Sequence, residues 1–596
     1  MLLSNLNLLA TAPDGVAKLR ELILILAVQG KLLPQDPSDE PASVLLKKIR
    51  AEKDRLMAEG KIKRDKPVAE IAEEEKPCEL PQGWEWSSLA TVGVINPRND
   101  AADDTAASFV QMSSIPATFS EAHISEERLW REIKSGFTHF AEGDVGVAKI
   151  TPCFENGKSV VFQNLSNGIG AGTTELHIVR PLCGLLPQYV LLFLKTPRFL
   201  QDGERGMTGS AGQKRLSRAY FENTPFPLPP LAEQSRIVAR VEELMRLCDA
   251  LSDNARLEAT QHAQLLTTML GTLLGTLTAA SGAGAPDASA PRPAELADPL
   301  HARWQRIAPH FDLLLDRPEA VDALEQTILQ LAVRGHLVPQ DPQDEPASAL
   351  LKKIRAEKDK LIADGKIKRD KPMLPIADDE KPFDSPLGWT WARFPELGEF
   401  GRGKSKHRPR NDPSLFNPPK HPLIQTGEVS RAKGVVQEVH SYYSDIGLAQ
   451  SRMWPKGTLC ITIAANIAES AVLGFDSCFP DSVVGFVPAD AMGNVEYFLL
   501  FVETAKADLL AFAPATAQKN INLEILSSLL IPVPPLKELT RIVARVASLR
   551  ALCFELRQRL TTARTQQALL AQALVENSAS TSIFTKASPC SSVTSV

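Results

Sequence analysis

One stretch of 27 residues occurs twice in this chain. Pro41–Pro67 reads PASVLLKKIRAEKDRLMAEGKIKRDKP and Pro346–Pro372 reads PASALLKKIRAEKDKLIADGKIKRDKP, with four differences and an offset of 305 residues. The same offset carries Gly30 to Gly335, Gly83-Trp84 to Gly388-Trp389, Gln213-Lys214 to Gln518-Lys519, and Pro229-Pro230-Leu231 to Pro534-Pro535-Leu536. It also carries the RIVARV segment at Arg236–Val241 to Arg541–Val546. A fixed internal period outranks every other sequence signal, because each period must build the same structural unit. The 596 residues are therefore one unit of about 305, written twice. Between the matching ends, Ser87–Gly212 and Ala392–Ala517 have almost no identity at matching positions. A duplicated scaffold holds two unlike inserts of near-equal length.

The scaffold reads as helical. Leu19–Val28 and Asp322–Val333 have helical apolar spacing, and each is followed by a glycine, Gly30 or Gly335, and then Leu-x-Pro-Gln-Asp-Pro, a stop signal. Leu45, Leu46, Ile49 and Leu56 form one face of a second helix that stops near Gly60. Its other face carries Lys47, Lys48, Arg50, Lys53 and Arg55, cations that could contact DNA phosphates, but the interleaved Glu52, Asp54 and Glu59 favour a solvated or subunit-facing surface. The inserts read as β-rich: Glu175–Ile178 alternates polar and apolar residues, and Val145–Ile150, Ser159–Phe162, Leu459–Ile463 and Val483–Val487 are further strand candidates. Helices fit Tyr189–Leu194 and Tyr497–Leu510.

Each copy closes on Pro-Pro-Leu and a long helix. In the second, Ile542, Val546, Leu549, Cys553, Leu556, Leu560, Ala563, Gln567, Leu570 and Leu574 keep 4-3 spacing, the pattern of a coiled coil. In the first, the seam from Ile237 to Ala255 is interrupted at Glu258 and His262, marking a bend or a subunit contact. Helices of some 40 residues would be ~60 Å long. Ala279–Asp298 reads as a small-residue, proline-bearing linker, and Asn577–Val596 as a Ser/Thr-rich disordered tail.

With 44% hydrophobic residues the chain can bury cores, which excludes wholesale disorder. Its eight cysteines contain no CxxC pair, so neither a zinc finger nor a disulfide frame is indicated. The apolar run Leu22–Val28 is far short of the ~20 residues of a spanning helix. A cytoplasmic protein is expected.

Three catalytic signals fail. Asn417-Pro-Pro-Lys420 approaches the Asn-Pro-Pro-aromatic motif of adenine methyltransferases, but a lysine stands where an aromatic must stack on the base. Gly206–Lys214 suggests a phosphate loop without its Gly-Lys-Ser/Thr ending. Glu132-Ile-Lys134 lacks the upstream Pro-Asp of a metal nuclease. No metal or cofactor site is expected on this chain.

Signals for nucleic-acid binding are stronger. The net charge is −5, yet Arg402–Lys433 carries Arg402, Lys404, Lys406, Arg408, Arg410, Lys420, Arg431 and Lys433 against only Asp412 and Glu428. Such a loop neutralises phosphates and reaches base edges, with arginine suited to guanine. In the first insert Lys149, Asn156, Lys158, Gln213, Lys214 and Arg215 lie in or beside glycine-bearing loops, and Gln518, Lys519 and Asn520 repeat this chemistry in the second. Asn and Gln read adenine bidentately, while Lys and Arg supply position and charge.

These residues resemble the DNA-specificity subunit of type I restriction–modification systems over nearly the whole chain. The carriers are Leu80–Trp86 (LPQGWEW) and Ser385–Trp391 (SPLGWTW), Gly143-Asp144, Lys149–Lys158 (KITPCFENGK), Gly172–Ile178 (GTTELHI), Gly212-Gln-Lys214 and Pro227–Gln234 (PLPPLAEQ). The second copy has Lys537-Glu-Leu539 in place of Ala-Glu-Gln and lacks the Thr-Thr-Glu and Phe-Glu-Asn-Gly-Lys motifs. The resemblance implies an α+β chain with two tandem α/β target-recognition domains, separated by two long antiparallel coiled-coil helices in a pseudo-twofold repeat. On that plan residues 1–79 form a helical arm, 80–230 the first recognition domain, 231–277 a central long helix and 278–300 a flexible linker. Residues 301–384 repeat the arm, 385–535 form the second recognition domain, 536–576 a distal helix and 577–596 a tail. It further implies that the chain is non-catalytic and reads a bipartite, asymmetric sequence in double-stranded DNA. The helices would act as a ruler that docks two methylation subunits and two motor–nuclease subunits, with S-adenosylmethionine, ATP and Mg2+ on those partners. A rival reading, a coiled-coil scaffold whose inserts bind proteins, keeps the repeat but gives no reason for the basic loop.

Overall fold

The computed structural model describes residues 6–62, 71–210, 212–275, 300–365, 367, 369, 373–407, 409–432, 434–464, 466–511 and 521–580. The chain divides into two compact units, one of Met1–Ala259 with Ala563–Val596, the other of Thr260–Thr562.

The first unit contains strands β1 (Glu85–Ser88), β2 (Gly93–Ile95), β3 (Ala106–Val110), β4 (Glu126–Leu129), β5 (Thr138–Ala141), β6 (Val145–Ala148), β7 (Ser159–Val161), β8 (Ile169–Gly172), β9 (Leu176–Pro181) and β10 (Pro225–Leu228). The second contains β11 (Thr390–Arg393), β12 (Gly398–Arg402), β13 (His421–Leu423), β14 (Val435–Val436), β15 (Ser441–Tyr443), β16 (Met453–Trp454), β17 (Leu459–Thr462), β18 (Ser470–Leu473), β19 (Ser477–Cys478), β20 (Val483–Pro488) and β21 (Leu530–Val533). All the strand candidates read from the sequence are strands.

The two inserts share almost no sequence, yet their sheets are wired alike. One sheet runs β2-β9-β6-β7 in the first insert and β12-β20-β17-β18 in the second, where β14 adds a fifth strand at the edge. The other runs β4-β3-β8-β5 and β15-β13-β19-β16. Even the one parallel pairing inside that sheet recurs, β3 with β8 and β13 with β19. The inserts are unlike in sequence and alike in topology. A pairing pattern needs apolar residues on the buried faces but no particular ones, so drift at matching positions leaves it intact. Close packing does fix a few residues: a Cβ on Gly146 of β6 would lie 2.7 Å from the Phe162 ring, which stacks on Phe140 at 3.6 Å between centroids.

Each insert is fastened to its scaffold by the same contacts. A two-stranded ribbon closes its base, Trp86 opposite Pro227 and Trp391 opposite Pro532. The buried indole of Trp84 donates to Glu233, whose other oxygen accepts from Gln35 at 3.3 Å, and Trp389, Glu538 and Gln340 repeat this arrangement. Arg236 pairs with Asp39 as Arg541 does with Asp344, and the buried tyrosines Tyr189 and Tyr497 donate to the carbonyls of Pro227 and Pro532. Lys53 and Lys358, buried on the short helices Ala42–Ala58 and Ala347–Ala363, reach the carbonyls of Ala90 and Pro395. The Glu of the Pro-Pro-Leu-x-Glu segment is thus a fastening residue. Gln234, which Leu539 replaces in the second copy, accepts from the amide of Leu186 and donates to Pro229. Arm, sheet and helix start share one core in each unit, with Ala27, Ile49, Val145, Val179 and Val241 in the first and Ala332, Ile354, Leu459, Phe486 and Val546 in the second.

The long helices span Leu231–Leu274 and Leu536–Ser580. The first continues as helix through Glu258 and His262. His262 approaches Asp316 at 3.3 Å. In the second helix the buried face follows the 4-3 seam through Ile542, Val546 and Cys553, but Ala563, Gln567 and Leu570 are exposed, and burial resumes at Ala571 and Val575. The unbroken seam does not hold, because the helix changes what it packs against. Ala571 and Val575 join Leu9, Leu22 and Leu26 of the N-terminal arm, all within the first unit. Within the second unit, Leu266, Leu270 and Leu273 from the end of the other long helix pack on Ile307, Leu314 and Leu331 of the repeated arm.

Two boundaries shift. Asn577–Ser580, assigned to the tail, continue the distal helix, and Leu300, assigned to the linker, opens the helix Leu300–Ile307. The linker 279–298 and the tail from 581 lie outside the described residues.

Candidate nucleic-acid interface

In the first insert two segments far apart in sequence are zipped together. The amide of Thr151 donates to the Lys214 carbonyl at 3.1 Å, the amide of Leu216 to the Lys149 carbonyl at 2.7 Å, and Ile150 bridges to Arg215. This ladder places Lys149, Gln213, Lys214 and Arg215 on one rim. Gly209, at φ 136°, faces the Gln213 carbonyl, where a Cβ would approach to 2.7 Å. That is the close backbone approach that turns the loop.

Behind the rim lies a cavity of ≈ 320 Å³ lined by Asn96, Arg98, His139, Lys149 and Thr174 among others. Arg98 and Asn96 are site candidates that sequence patterns did not reveal, since they follow β2 with no motif around them. His139 does not titrate freely here. Burial lowers its pKa, and its ring nitrogens are engaged by the Asn99 amide and the Lys134 carbonyl.

The candidate residues divide by what they already hold. Arg215 is clamped bidentately by Glu175, at 2.9 and 3.0 Å, and that hydrogen bonding keeps the Glu175 carboxyl below its ordinary value. The ammonium of Lys158 donates to the Met112 carbonyl at 2.9 Å, so it shapes a neighbouring loop rather than facing outward. Gln213, Lys214 and Asn156 are exposed. Gly157, next to Asn156, is held from below by Lys195, which donates to the carbonyls of Gly157 and Ala117 at 3.0 and 2.9 Å and whose pKa burial pulls down to about 7.

Two residues of the motifs that carry the resemblance are supports. Asp144, fully buried, receives two 2.8 Å hydrogen bonds from Arg180, and desolvation raises its pKa against that pairing. His177 is buried against Phe221 and bonded to the Leu216 carbonyl, which ties β9 to the rim, and burial lowers its pKa.

The basic segment of the second insert is less uniformly available than its composition suggests. It is folded rather than one loop, holding β13 and the helix Thr426–Arg431. Arg410 pairs with Asp481, Lys420 with Asp445, and Arg431 with Glu428. Arg402 donates to the Asp481 carbonyl. Lys404 and Lys406 are exposed and make no ion pair with a described residue, while Gln450 fixes their stretch by accepting from the Lys406 amide at 2.6 Å. Arg408, Lys433, Gln518, Lys519 and Asn520 lie outside the described residues. Lys420, in the methyltransferase-like tetrapeptide, is spent on Asp445.

Among the described residues no group of three or more His, Cys, Asp or Glu side chains is placed to hold a metal, and no helix is long and apolar enough to cross a membrane. The described cysteines are all free thiols.

A twice-built frame, fastening two β-domains of one topology and different sequence, is the architecture of a modular recognition protein. The model for the type I restriction modification DNA specificity domain matches residues 173–261 and 386–563. The EcoEI specificity subunit of the type I restriction enzyme from Escherichia coli is 41% identical over 587 residues, covering 94% of this chain and 93% of that one. The EcoAI specificity subunit, also from Escherichia coli, is 52% identical over 391 residues, covering 65% and 63%. A chain from a solved type I R-M system matches the fold with a TM-score of 0.50 at 17% identity, over 85% of this chain and all of that one. The chain belongs to the type I restriction enzyme specificity subunits.

Proposed function

We propose that this chain reads a bipartite, asymmetric DNA sequence, one half-site with each recognition domain, as the specificity component of a type I restriction–modification complex. The observation that carries the reading is the pairing of one topology and one fastening with two different sets of outward polar and cationic side chains. These are Gln213 and Lys214 beside Lys149 in the first insert, and Lys404 and Lys406 in the second. Identical mounts serve the same duplex, and different surfaces serve different bases. Lysines hold phosphates and set position, while Gln213 and Asn156 are the first insert's candidates for base edges in the major groove.

The long helices set the distance between the domains in a closed, antiparallel, pseudo-twofold arrangement. It is supported by the 305-residue offset, which gives each copy the same arm, insert mount and long helix. Half-sites one helical turn apart are separated by about 34 Å, within the ~60 Å reach of such helices. Two methylation subunits and two motor–nuclease subunits complete the complex. They carry the S-adenosylmethionine, ATP and Mg2+ chemistry in the cytoplasm, and this chain breaks and forms no bonds. Methylation requires the adenine to leave the stack, so the domains must tolerate a distorted duplex.

The test is methylome sequencing of cells that express this chain with its methylation subunit. A single two-part, non-palindromic motif is expected. Loss of sequence selectivity in a mobility shift with that partner, at every salt concentration, would favour the protein-binding scaffold instead.

A further inference from the structure

The cavity behind the rim of the first insert lies where the two sheets of that insert meet. Asn96 and Arg98 follow β2 and Lys149 follows β6, both in one sheet, while Phe137 precedes β5 of the other and Thr174 links β8 to β9. At ≈ 320 Å³ it stands at the small end of the ~300–1,000 Å³ over which ligand pockets run. A space of that size encloses a whole chemical group, whereas a base stacked in a duplex offers only its edge.

The wall is cationic and unneutralised. Among the described residues that line it there is no Asp or Glu, and neither Arg98 nor Lys149 makes an ion pair with a described residue. The carboxylate of Glu175, next to Thr174, is already spent on Arg215. Asn96 is fixed at φ 48° by two bonds to Ile178: its amide donates to the carbonyl at 2.8 Å and its Oδ1 accepts from the amide at 2.9 Å. Its Nδ2 donors remain for a guest. The apolar wall comes from the buried Leu176 and from Phe137, which is set edge-on to Phe109 at 5.1 Å between centroids.

The second insert fills the same place. Gly401, Arg402 and Gly403 stand at the 305-residue offset from Asn96, Pro97 and Arg98. Gly403 packs on the carbonyls of Phe479 and Pro480 with no room for a Cβ, and Asp481 takes Arg402 through its carbonyl and Arg410 through its carboxylate. The shared topology therefore does not require the cavity.

We propose that the cavity binds one unstacked nucleotide, with Arg98 and Lys149 on its phosphate, Asn96 on the edge of its base, and Phe137 and Leu176 against the base. Cations bind phosphate oxygens through charge-assisted hydrogen bonds, and an aromatic wall accepts any base. The inference rests on the DNA-reading assignment and deepens it. A nucleotide everted from the first half-site and a free mononucleotide offer the same chemistry.

The experiment has two arms. In the first, the full chain is titrated calorimetrically with 2′-deoxynucleoside 5′-monophosphates and with inorganic phosphate. In the second, the chain with its methylation subunit binds duplexes of the motif that methylome sequencing returns. An abasic residue is placed opposite each nucleotide of the first half-site in turn, freeing that nucleotide to leave the stack. One freed position should bind about tenfold tighter than the paired duplex, because eversion costs least for an unpaired base. Arg98→Ala/Lys149→Ala should return that ratio to one, and so should Thr174→Trp, which fills the cavity and keeps both cations. If no freed position gains but the monophosphates bind the parent and neither variant, the nucleotide is a free one. A gain that persists in both variants overturns the proposal, as does binding in neither arm. Inorganic phosphate bound as tightly as the monophosphates, and unaffected by Thr174→Trp, reduces the cavity to an anion site and also overturns it. Should the complex select no duplex at all, the DNA-reading assignment fails, and the mononucleotide arm still decides the cavity.

Discussion

The indole nitrogen of Trp84 donates to Glu233 at 2.8 Å across 149 residues of sequence, and Trp389 donates to Glu538 at 3.1 Å across the same span. The first residue of each pair opens a recognition domain and the second begins a long helix, so the bond ties each domain to the start of its helix. Both glutamates are buried, and desolvation raises their pKa against the hydrogen bonds that lower it. Removing one leaves a buried N–H without its acceptor. Glu233→Ala and Glu538→Ala should each destabilise by about 1–3 kcal/mol, measured as a lower urea midpoint by tryptophan fluorescence. Neither should alter the salt dependence of DNA binding. An unshifted midpoint would mean that another group replaces the carboxylate.

Lys195 supplies a pH dependence. Its folded pKa is about 7 against 10.5 for the free side chain. The unfolded chain therefore holds a proton on this amine between those values and the folded chain does not. The burial penalty is present in full below pH 7, and stability contributed by this site rises with pH from about 7 to about 10.5, by up to ~1.4 kcal/mol per pH unit. Lys195→Met should abolish that rise relative to the parent, read from denaturant midpoints at a series of pH values. The same substitution removes the donor from the Gly157 carbonyl, so the loop bearing Asn156 should exchange its amide hydrogens faster. Parallel stability profiles for parent and variant would show that the amine stays charged in the fold.

The repeat, the helices and the position of every predicted strand were legible because they are written in spacing: apolar periods, glycine stops and matching offsets. The common topology of the inserts was not, because strand order depends on pairing between segments such as β3 and β8, or β13 and β19, that carry no mutual signature. Nor does composition reveal neutralisation at a distance. Arg410 meets Asp481 across 71 residues and Arg215 meets Glu175 across 40, pairings that no local pattern announces. The bond from Lys158 to the Met112 carbonyl is not announced by the motif that holds it, and Arg98 has no motif around it and lines the cavity.

Lys214 is the sharpest probe of phosphate contact, since its carbonyl is fixed by Thr151 while its side chain is exposed. Lys214→Ala should weaken binding to many DNA sequences alike and reduce the slope of log affinity against log salt by about 0.9 for the one phosphate released. Lys519→Ala, at the matching position of the second copy, should do the same. Gln213→Ala should leave the slope unchanged and relax selectivity at a base position. A Lys214 variant with the parent's slope removes that lysine from the interface.

Exchange of a whole insert tests whether the two readings are independent. Within each unit the ribbon pairing, the tryptophan–glutamate bond and the Arg236–Asp39 or Arg541–Asp344 pair belong to residues outside the divergent centre or at its edge. A different insert of the same topology therefore meets an unchanged mount. Replacing Ser87–Gly212 with the corresponding segment of another specificity subunit should change one half of the methylated motif and leave the other half intact. If both halves change, the domains read DNA jointly and the mount is not neutral. If the hybrid loses methylation while its melting temperature holds, the exchanged insert no longer reaches the duplex, and Lys149, the rim cation that the exchange removes, is then the residue to restore first.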